Sequence, residues 1–221
     1  MIATELINSM IPPLKLTDDA HKAIVWMEEF RCNHLPVVHE GQLLGFISEE
    51  IILESNDIEK PLSEFQLMGK ECVVSGETFF YDILKVASEN KLHIVGVNDD
   101  AQQYAGVITV QDVLTSFAQT AAVQMPGGIL VLSMDLIDYS LAEISRLVEE
   151  NNAKIIGSTM VEDLMDKGKI KVTLKINQVD LTRIVATLDR FGYKIIGKYQ
   201  TAEIEGNEKE RLDMLMRYLN I

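Results

Sequence analysis

Basic side chains are scarce in this sequence: 20 Lys and Arg stand against 34 Asp and Glu, a formal net charge of −14. That balance opposes nucleic acid or an anionic membrane as a partner. Cysteine is nearly missing. Cys32 and Cys72 are the only two, and no metal-ligand spacing surrounds them, so they read as free thiols in a reducing cytosol. No run of about 18 apolar residues occurs, which excludes a transmembrane helix. The start, MIATELINSM, has no basic n-region and no cleavage pattern, so no signal peptide is expected. No Ser/His/Asp set, Cys/His pair, Walker loop or zinc spacing is present. The four histidines, His21, His34, His39 and His93, form no HxxxH pair. The expectation is a cytoplasmic, non-enzymatic protein without a metal.

What is present is ample apolar material: 47% of 221 residues, enough for a real core in one or two domains. The charge is uneven. Residues 1–126 carry 19 acidic and 7 basic side chains, net −12, and residues 127–221 carry 15 and 13, net −2. Two regions of different electrostatics suggest two domains. The breaker cluster Met125-Pro126-Gly127-Gly128 marks the boundary between them.

The first region contains a repeat. After the extended NSMIPPLKL segment, Thr17 and Asp18 precede a helical stripe of Ala20, Ala23, Ile24, Met27 and Phe30. HLPVVHE and LLGFIS read as a two-stranded hairpin, and SEEIILES as a second helix. The same order recurs: strand CVVS, a helix with Phe79, Ile83, Val86, Ala87 and Asn90 on one stripe, strands HIVGVND and YAGVIT, and the helix VQDVLTSFAQ. His34 aligns with His93 at an offset of 59 residues, and Gly45 with Gly106 at 61, the second hairpin turn being longer.

The segment Gly106-Val107-Ile108-Thr109-Val110-Gln111-Asp112 is the richest in chemistry. It reads as a buried strand running into a helix, with Thr109 and Asp112 at capping-box spacing. A helix N-terminus has free N–H groups and partial positive charge, a natural seat for an anion. Gly106 would leave room for a ligand at the backbone, a Thr109 hydroxyl could bond a phosphate, and the Asp112 carboxylate could take ribose hydroxyls. The same pair could equally do no more than cap its own helix.

LPVV-x(6)-GFIS and the second copy ending GVITVQD resemble a tandem pair of cystathionine-β-synthase (CBS) domains, a Bateman module, over residues 1 to about 122. The resemblance implies an adenosine compound (AMP, ADP, ATP or S-adenosylmethionine) as regulatory ligand, with no required cofactor, in a cleft between the copies. It implies Gly106, Thr109 and Asp112 as ligand residues, with His93 and Ile94 beside them. The first copy keeps His34, Gly45 and Ser48, but Ile51 replaces the Asp, and Glu49 and Glu50 would repel a phosphate. A second, weaker cleft is expected there, and one good site per chain. His34 and His93 lie where members of the family often touch the phosphate, and Lys91 is a nearby cation.

The second region reads as β-α-β-β-α-β, the split ferredoxin-like pattern. Its parts are strand GILVLSMDL; a helix opened by Tyr139 or Ser140 with Leu141, Ile144, Leu147 and Val148; strands in NNAKIIGSTMVE and IKVTLKIN; a helix capped by Asp180; and strand FGYKIIGKYQTAE. Lys154-Ile155-Ile156-Gly157 recurs as Lys194-Ile195-Ile196-Gly197. This region resembles an ACT domain, although Asp138 and Tyr139 stand where an ACT ligand turn has Pro-Gly. The order of domains is similar to the bacterial acetoin-utilisation regulator family.

The expected architecture is therefore α/β (α+β): CBS units at 1–58 and 59–124, an ACT-like domain at 128–203 and a C-terminal helix at 204–221. The expected role is a homodimeric regulatory sensor with an unknown protein partner, no nucleic acid and no membrane. A structural interaction module without nucleotide, or an amino-acid sensor acting through the ACT-like region, are the other readings that the residues leave open.

Overall fold

Two apolar patterns, one repeated and one strictly alternating, build two separate cores. The computed structural model describes residues 1–55 and 57–200, so the helix expected at 204–221 and the last residues of the ACT-like span lie outside the described part. The chain divides into a first unit, residues 1–119, and a second beginning at Thr120.

In the first unit the short helix α1 (Ala3–Leu6) precedes α2 (Ala20–Phe30), β1 (His34–His39), β2 (Gln42–Ser48) and α3 (Glu49–Ser55). The second copy follows as β3 (Val73–Ser75), α4 (Phe80–Asn90), β4 (Ile94–Asn98), β5 (Tyr104–Thr109) and α5 (Val110–Ala118). Asp19 caps α2 by accepting from the Lys22 N–H at 2.7 Å. Ala20, Ala23 and Met27 turn inward. In α4 Ile83 and Ala87 of the expected stripe are buried, and only its first position differs. Phe80 is buried and Phe79 is the exposed N-cap, because the helix starts one position later than its apolar run.

The two copies differ in their leading segments. β3 pairs parallel to β4, which pairs antiparallel with β5. In the first copy the corresponding segment makes one isolated bridge, Leu14 to Val37, beside the antiparallel β1–β2 pair. Pro12 and Pro13 lack the N–H groups that a longer ladder requires.

The copies also exchange segments. The first eight residues pack on the second copy: Ala3 N–H donates to Thr78 O at 2.8 Å, and Asn8 N–H to Val107 O at 2.8 Å. Residues 58–68 pack on the first copy, where Leu62 N–H donates to Asp18 O and Phe46 N–H to Met68 O. One continuous core results, with Leu14, Leu35, Phe46, Ile47, Ile83 and Ile108 fully buried. Cys72 lies within it. Its thiol donates to Ile94 O at 3.3 Å and is pushed up to about 11, mainly by burial, with the charge of Glu71 adding to the effect. A group so far from ionisation at neutral pH is a packing element.

In the second unit the short α6 (Ala121–Gln124) precedes β6 (Gly128–Asp135), α7 (Leu141–Glu149), β7 (Ile155–Glu162), β8 (Lys169–Ile176), α8 (Thr182–Arg190) and β9 (Lys194–Tyr199). The four strands form one antiparallel sheet in the order β7-β8-β6-β9, so the β-α-β-β-α-β order read from the sequence is observed. In β8, Ile170, Val172, Leu174 and Ile176 are buried, while Lys169, Lys171, Thr173 and Lys175 alternate with them at half exposure. Ser140 caps α7, and Ile144, Leu147 and Val148 fill the core with Ile184 and Leu188 of α8. The repeated Lys-Ile-Ile-Gly stretch begins both edge strands, β7 and β9.

Candidate functional site

The site lies in the first unit, where the second copy turns from β5 into α5. β5 pairs with β4 so that Thr109 is opposite Ile94, and Val110 N–H donates to His93 O at 2.9 Å. The hairpin thus fixes His93 and Ile94 beside the first turn of α5. At the other end of the repeat, α2 closes with Arg31 in the left-handed conformation (φ 53°), with its N–H and that of Cys32 bonded to carbonyls of the last helical turn. The chain then runs through Cys32 and Asn33 into His34 at the start of β1.

These segments enclose a cleft of about 480 Å³, a normal size for a small-molecule site. Asn8, Ile11, Phe30, Arg31, Cys32, His34, His93, Ile94, Thr109, Gln111, Asp112 and Leu114 are among its lining residues. Of the residues expected from the sequence, Thr109, Asp112, His93 and Ile94 therefore come together. His34 joins them, rather than belonging to a separate first-copy cleft.

Both glycines of the motif are used for packing. A Cβ on Gly106 would meet Ile7 Cγ2 at 2.6 Å, and Gly106 does not line the cleft. The room expected there for a ligand is filled by the N-terminal segment. A Cβ on Gly45 would meet the Met68 carbonyl oxygen at 2.7 Å, within the segment that bonds to Phe46. Ser48 is 5% exposed, and its hydroxyl accepts from Ile51 N–H at 3.2 Å. At Gly45 and Ser48 the expected first-copy binding positions are thus occupied by the protein itself.

At the second-copy helix start the capping box is complete. Thr109 Oγ1 accepts from Asp112 N–H at 3.1 Å, and Asp112 Oδ2 accepts from Thr109 N–H at 2.9 Å and from the Thr109 hydroxyl at 2.6 Å. A hydroxyl has one proton to donate, and Thr109 donates it to Asp112. The hydroxyl expected to bond a phosphate orients the carboxylate instead. The box and the bond to His93 leave Gln111 as the first-turn N–H outside the cap.

Two lining residues escaped the reading of the sequence. Asn8 Nδ2 donates to Asp112 Oδ1 at 3.1 Å and Oδ2 at 3.3 Å, a contact spanning 104 residues that no local pattern encodes. Arg31 adds a cationic residue, with delocalised positive charge, to the lining, while Lys91 lines an adjoining depression with Leu84, Ser88 and Leu92 that shares His93 and Val110 with the cleft. The signal for Arg31 was available, because Arg31 and Lys91 are the equivalent left-handed helix ends of the two copies. Burial lowers the pKa of His34, the His93 imidazole lowers it further, and the Glu50 carboxylate opposes both. Burial raises the Cys32 thiol against a backbone hydrogen bond from His34, so it is not a thiolate at neutral pH. Among the described residues no group of His, Cys, Asp and Glu is arranged to hold a metal ion, and no helix is long and apolar enough to cross a membrane.

Two copies of one α+β repeat that share a cleft define a paired-repeat module. The chain belongs to the CBS domain family, whose pattern matches residues 4–56 and 62–119, together half of its length. Similar solved structures include a CBS domain pair/ACT domain protein from Thermotoga maritima, with 17% identity over 54% of this chain and 98% of that one at a TM-score of 0.47. The AcuB protein of Vibrio cholerae, assigned to acetoin utilization, has 20% identity over 53% and 90% at 0.47. A third is CBSX2 in complex with AMP, with 16% identity over 53% and 96% at 0.45.

Proposed function

We propose that this protein is a regulatory sensor whose CBS pair binds an adenosine compound, AMP, ADP, ATP or S-adenosylmethionine, in the cleft around Asp112. The carrying observation is the composition of that cleft. One carboxylate, oriented by Thr109, shares it with Arg31, His34 and His93, contributed by both copies. A carboxylate suits ribose hydroxyls, and a guanidinium with two imidazoles suits a phosphate. Apolar Phe30, Ile11 and Leu114 supply surface for a base. Family membership supports the same ligand class, since CBSX2 is known in complex with AMP and the CBS domain of a bacterial CNNM/CorC family Mg2+ transporter in complex with ATP. The role is binding rather than catalysis.

We further read the second unit as an ACT-like domain that relays the ligand state to a homodimer interface or a protein partner in the cytoplasm. Its strand order supports this. Tyr139 packs against the core at the turn where an ACT ligand would dock, which favours relay over amino-acid sensing. A structural reading without nucleotide draws on the complete capping box, in which Thr109 and Asp112 satisfy each other at the start of α5.

Native mass spectrometry, with identification of small molecules released from the purified full chain, separates these readings. A retained or added adenosine compound at one per chain supports the sensor. Failure of all four named compounds to bind at millimolar concentration supports the structural module.

A further inference from the structure

We infer that Asn8 is a ribose-reading residue: its side-chain amide and the Asp112 carboxylate together form a donor–acceptor pair for a vicinal diol. This rests on the adenosine-binding reading above and adds a residue from the N-terminal segment, outside the CBS motif.

The bonding capacity of Asp112 leads there. An ionised carboxylate offers about four acceptor sites. Oδ2 receives the Thr109 N–H at 2.9 Å, the Thr109 hydroxyl at 2.6 Å and the Asn8 amide at 3.3 Å. Oδ1 receives the Asn8 amide alone, at 3.1 Å. One acceptor position therefore remains, on Oδ1, and a diol presents two hydroxyls. Asp112 in this arrangement can satisfy one of them as a donor. The second needs another partner.

Asn8 is placed to be that partner. Its carboxamide orientation is fixed from both ends, since Oδ1 accepts from Met10 N–H at 3.0 Å while Nδ2 donates to the carboxylate. Nδ2 carries two hydrogens. One is shared between the Asp112 oxygens, and the other has no acceptor among the described residues. Asn8 is half-buried and lines the cleft beside Asp112. Its free N–H can donate to the oxygen of the second hydroxyl while the first donates to Asp112 Oδ1. A ribose with both hydroxyls satisfies both groups, and a deoxyribose leaves one of them unmatched. The segment bearing Asn8 is anchored independently by the Asn8 N–H bond to Val107 O and by Ile7 against Gly106, so removing the carboxamide leaves the backbone held.

The test is titration calorimetry of the full chain with AMP, 2′-deoxy-AMP and 3′-deoxy-AMP, for the wild type and Asn8→Ala. The wild type should bind AMP about tenfold or more tighter than at least one deoxy analogue, the scale of one hydrogen bond. Asn8→Ala should weaken AMP about tenfold and leave that analogue within about twofold, removing the discrimination. Equal weakening of all three ligands would assign Asn8 a structural role and overturn the inference while preserving adenosine binding. Unchanged AMP affinity in Asn8→Ala would overturn it too. Absence of AMP binding in the wild type would reject the adenosine reading itself. Circular dichroism of Asn8→Ala identifies a folding failure, and Asn8→Ser, a smaller side chain that retains a donor, should then recover part of the discrimination; no recovery in a folded Asn8→Ser would also overturn it.

Discussion

The Asn8 carboxamide donates to both carboxylate oxygens of Asp112, at 3.1 and 3.3 Å, across 104 residues of chain. The contact joins the N-terminal segment to the first turn of α5, so Asp112 is at once a helix cap, a tether and a cleft wall. Its stabilising and binding roles can be separated by experiment.

Loss of the cap alone has a modest cost. Asp112→Ala and Thr109→Ala should each lower unfolding free energy by about 1 kcal/mol. The double variant should cost clearly less than the sum, because each side chain satisfies the other. Urea denaturation of the full chain measures this, and strictly additive losses would show that the two cap the helix independently.

His34 should make the proposed binding proton-linked. Its folded pKa lies below the ordinary imidazole value, first because of burial, then because of His93. Since the folded value is lower than the unfolded one, its contribution to stability is intact above about pH 6.5 and falls as pH drops through that value toward the folded pKa. A phosphate in the same cleft favours the imidazolium form. AMP titrations at pH 7 in buffers of different ionisation heat should show proton uptake, reduced in His34→Gln. Buffer-independent heats would contradict this.

Residues 1–126 carry a net charge of −12, and Arg31 is the one arginine that lines the cleft. Each added phosphate meets that field with limited compensation. AMP or S-adenosylmethionine should therefore bind more tightly than metal-free ATP at low salt, and Arg31→Ala should weaken AMP more than adenosine. Metal-free ATP binding as tightly as AMP would show that the local cations outweigh the overall charge.

Assembly is the next expectation. Phe79, Tyr81, Leu114 and Phe117 leave exposed apolar surface at the start of α4 and on α5, with Tyr81 68% exposed, and among the described residues β7 is an edge strand carrying Met160 and Val161. Light scattering at micromolar concentration should give the mass of a dimer, with two-fold symmetry the simplest closed arrangement. A monomer mass would count against it.

Local pattern made much of this structure readable in advance. The Thr109–Asp112 spacing marked the start of α5 because a capping box is encoded within four residues. The alternation of Ile170, Val172, Leu174 and Ile176 marked β8 for the same kind of reason. What was missed depends on long-range packing. Asn8 reaches Asp112 only because the first residues cross to the second copy. His34 was grouped with Gly45 and Ser48 by repeat logic, yet the cleft draws from both copies at once. Gly106 and Gly45 matched a binding motif, but a glycine pattern does not distinguish room for a ligand from room for Ile7 or the Met68 carbonyl. Phe79 and Phe80 could not be told apart by periodicity, because the helix phase depends on where the N-cap falls.

The central proposal is one adenosine site per chain, built on Asp112. In the first copy Ile51 replaces the carboxylate, and the segment carrying Met68 packs against Gly45. Titration calorimetry of AMP into the wild type and Asp112→Ala is the direct measurement. The proposal predicts one site per wild-type chain and loss of detectable binding in a folded Asp112→Ala. Two equivalent sites per chain, or AMP affinity unchanged by Asp112→Ala, would contradict it.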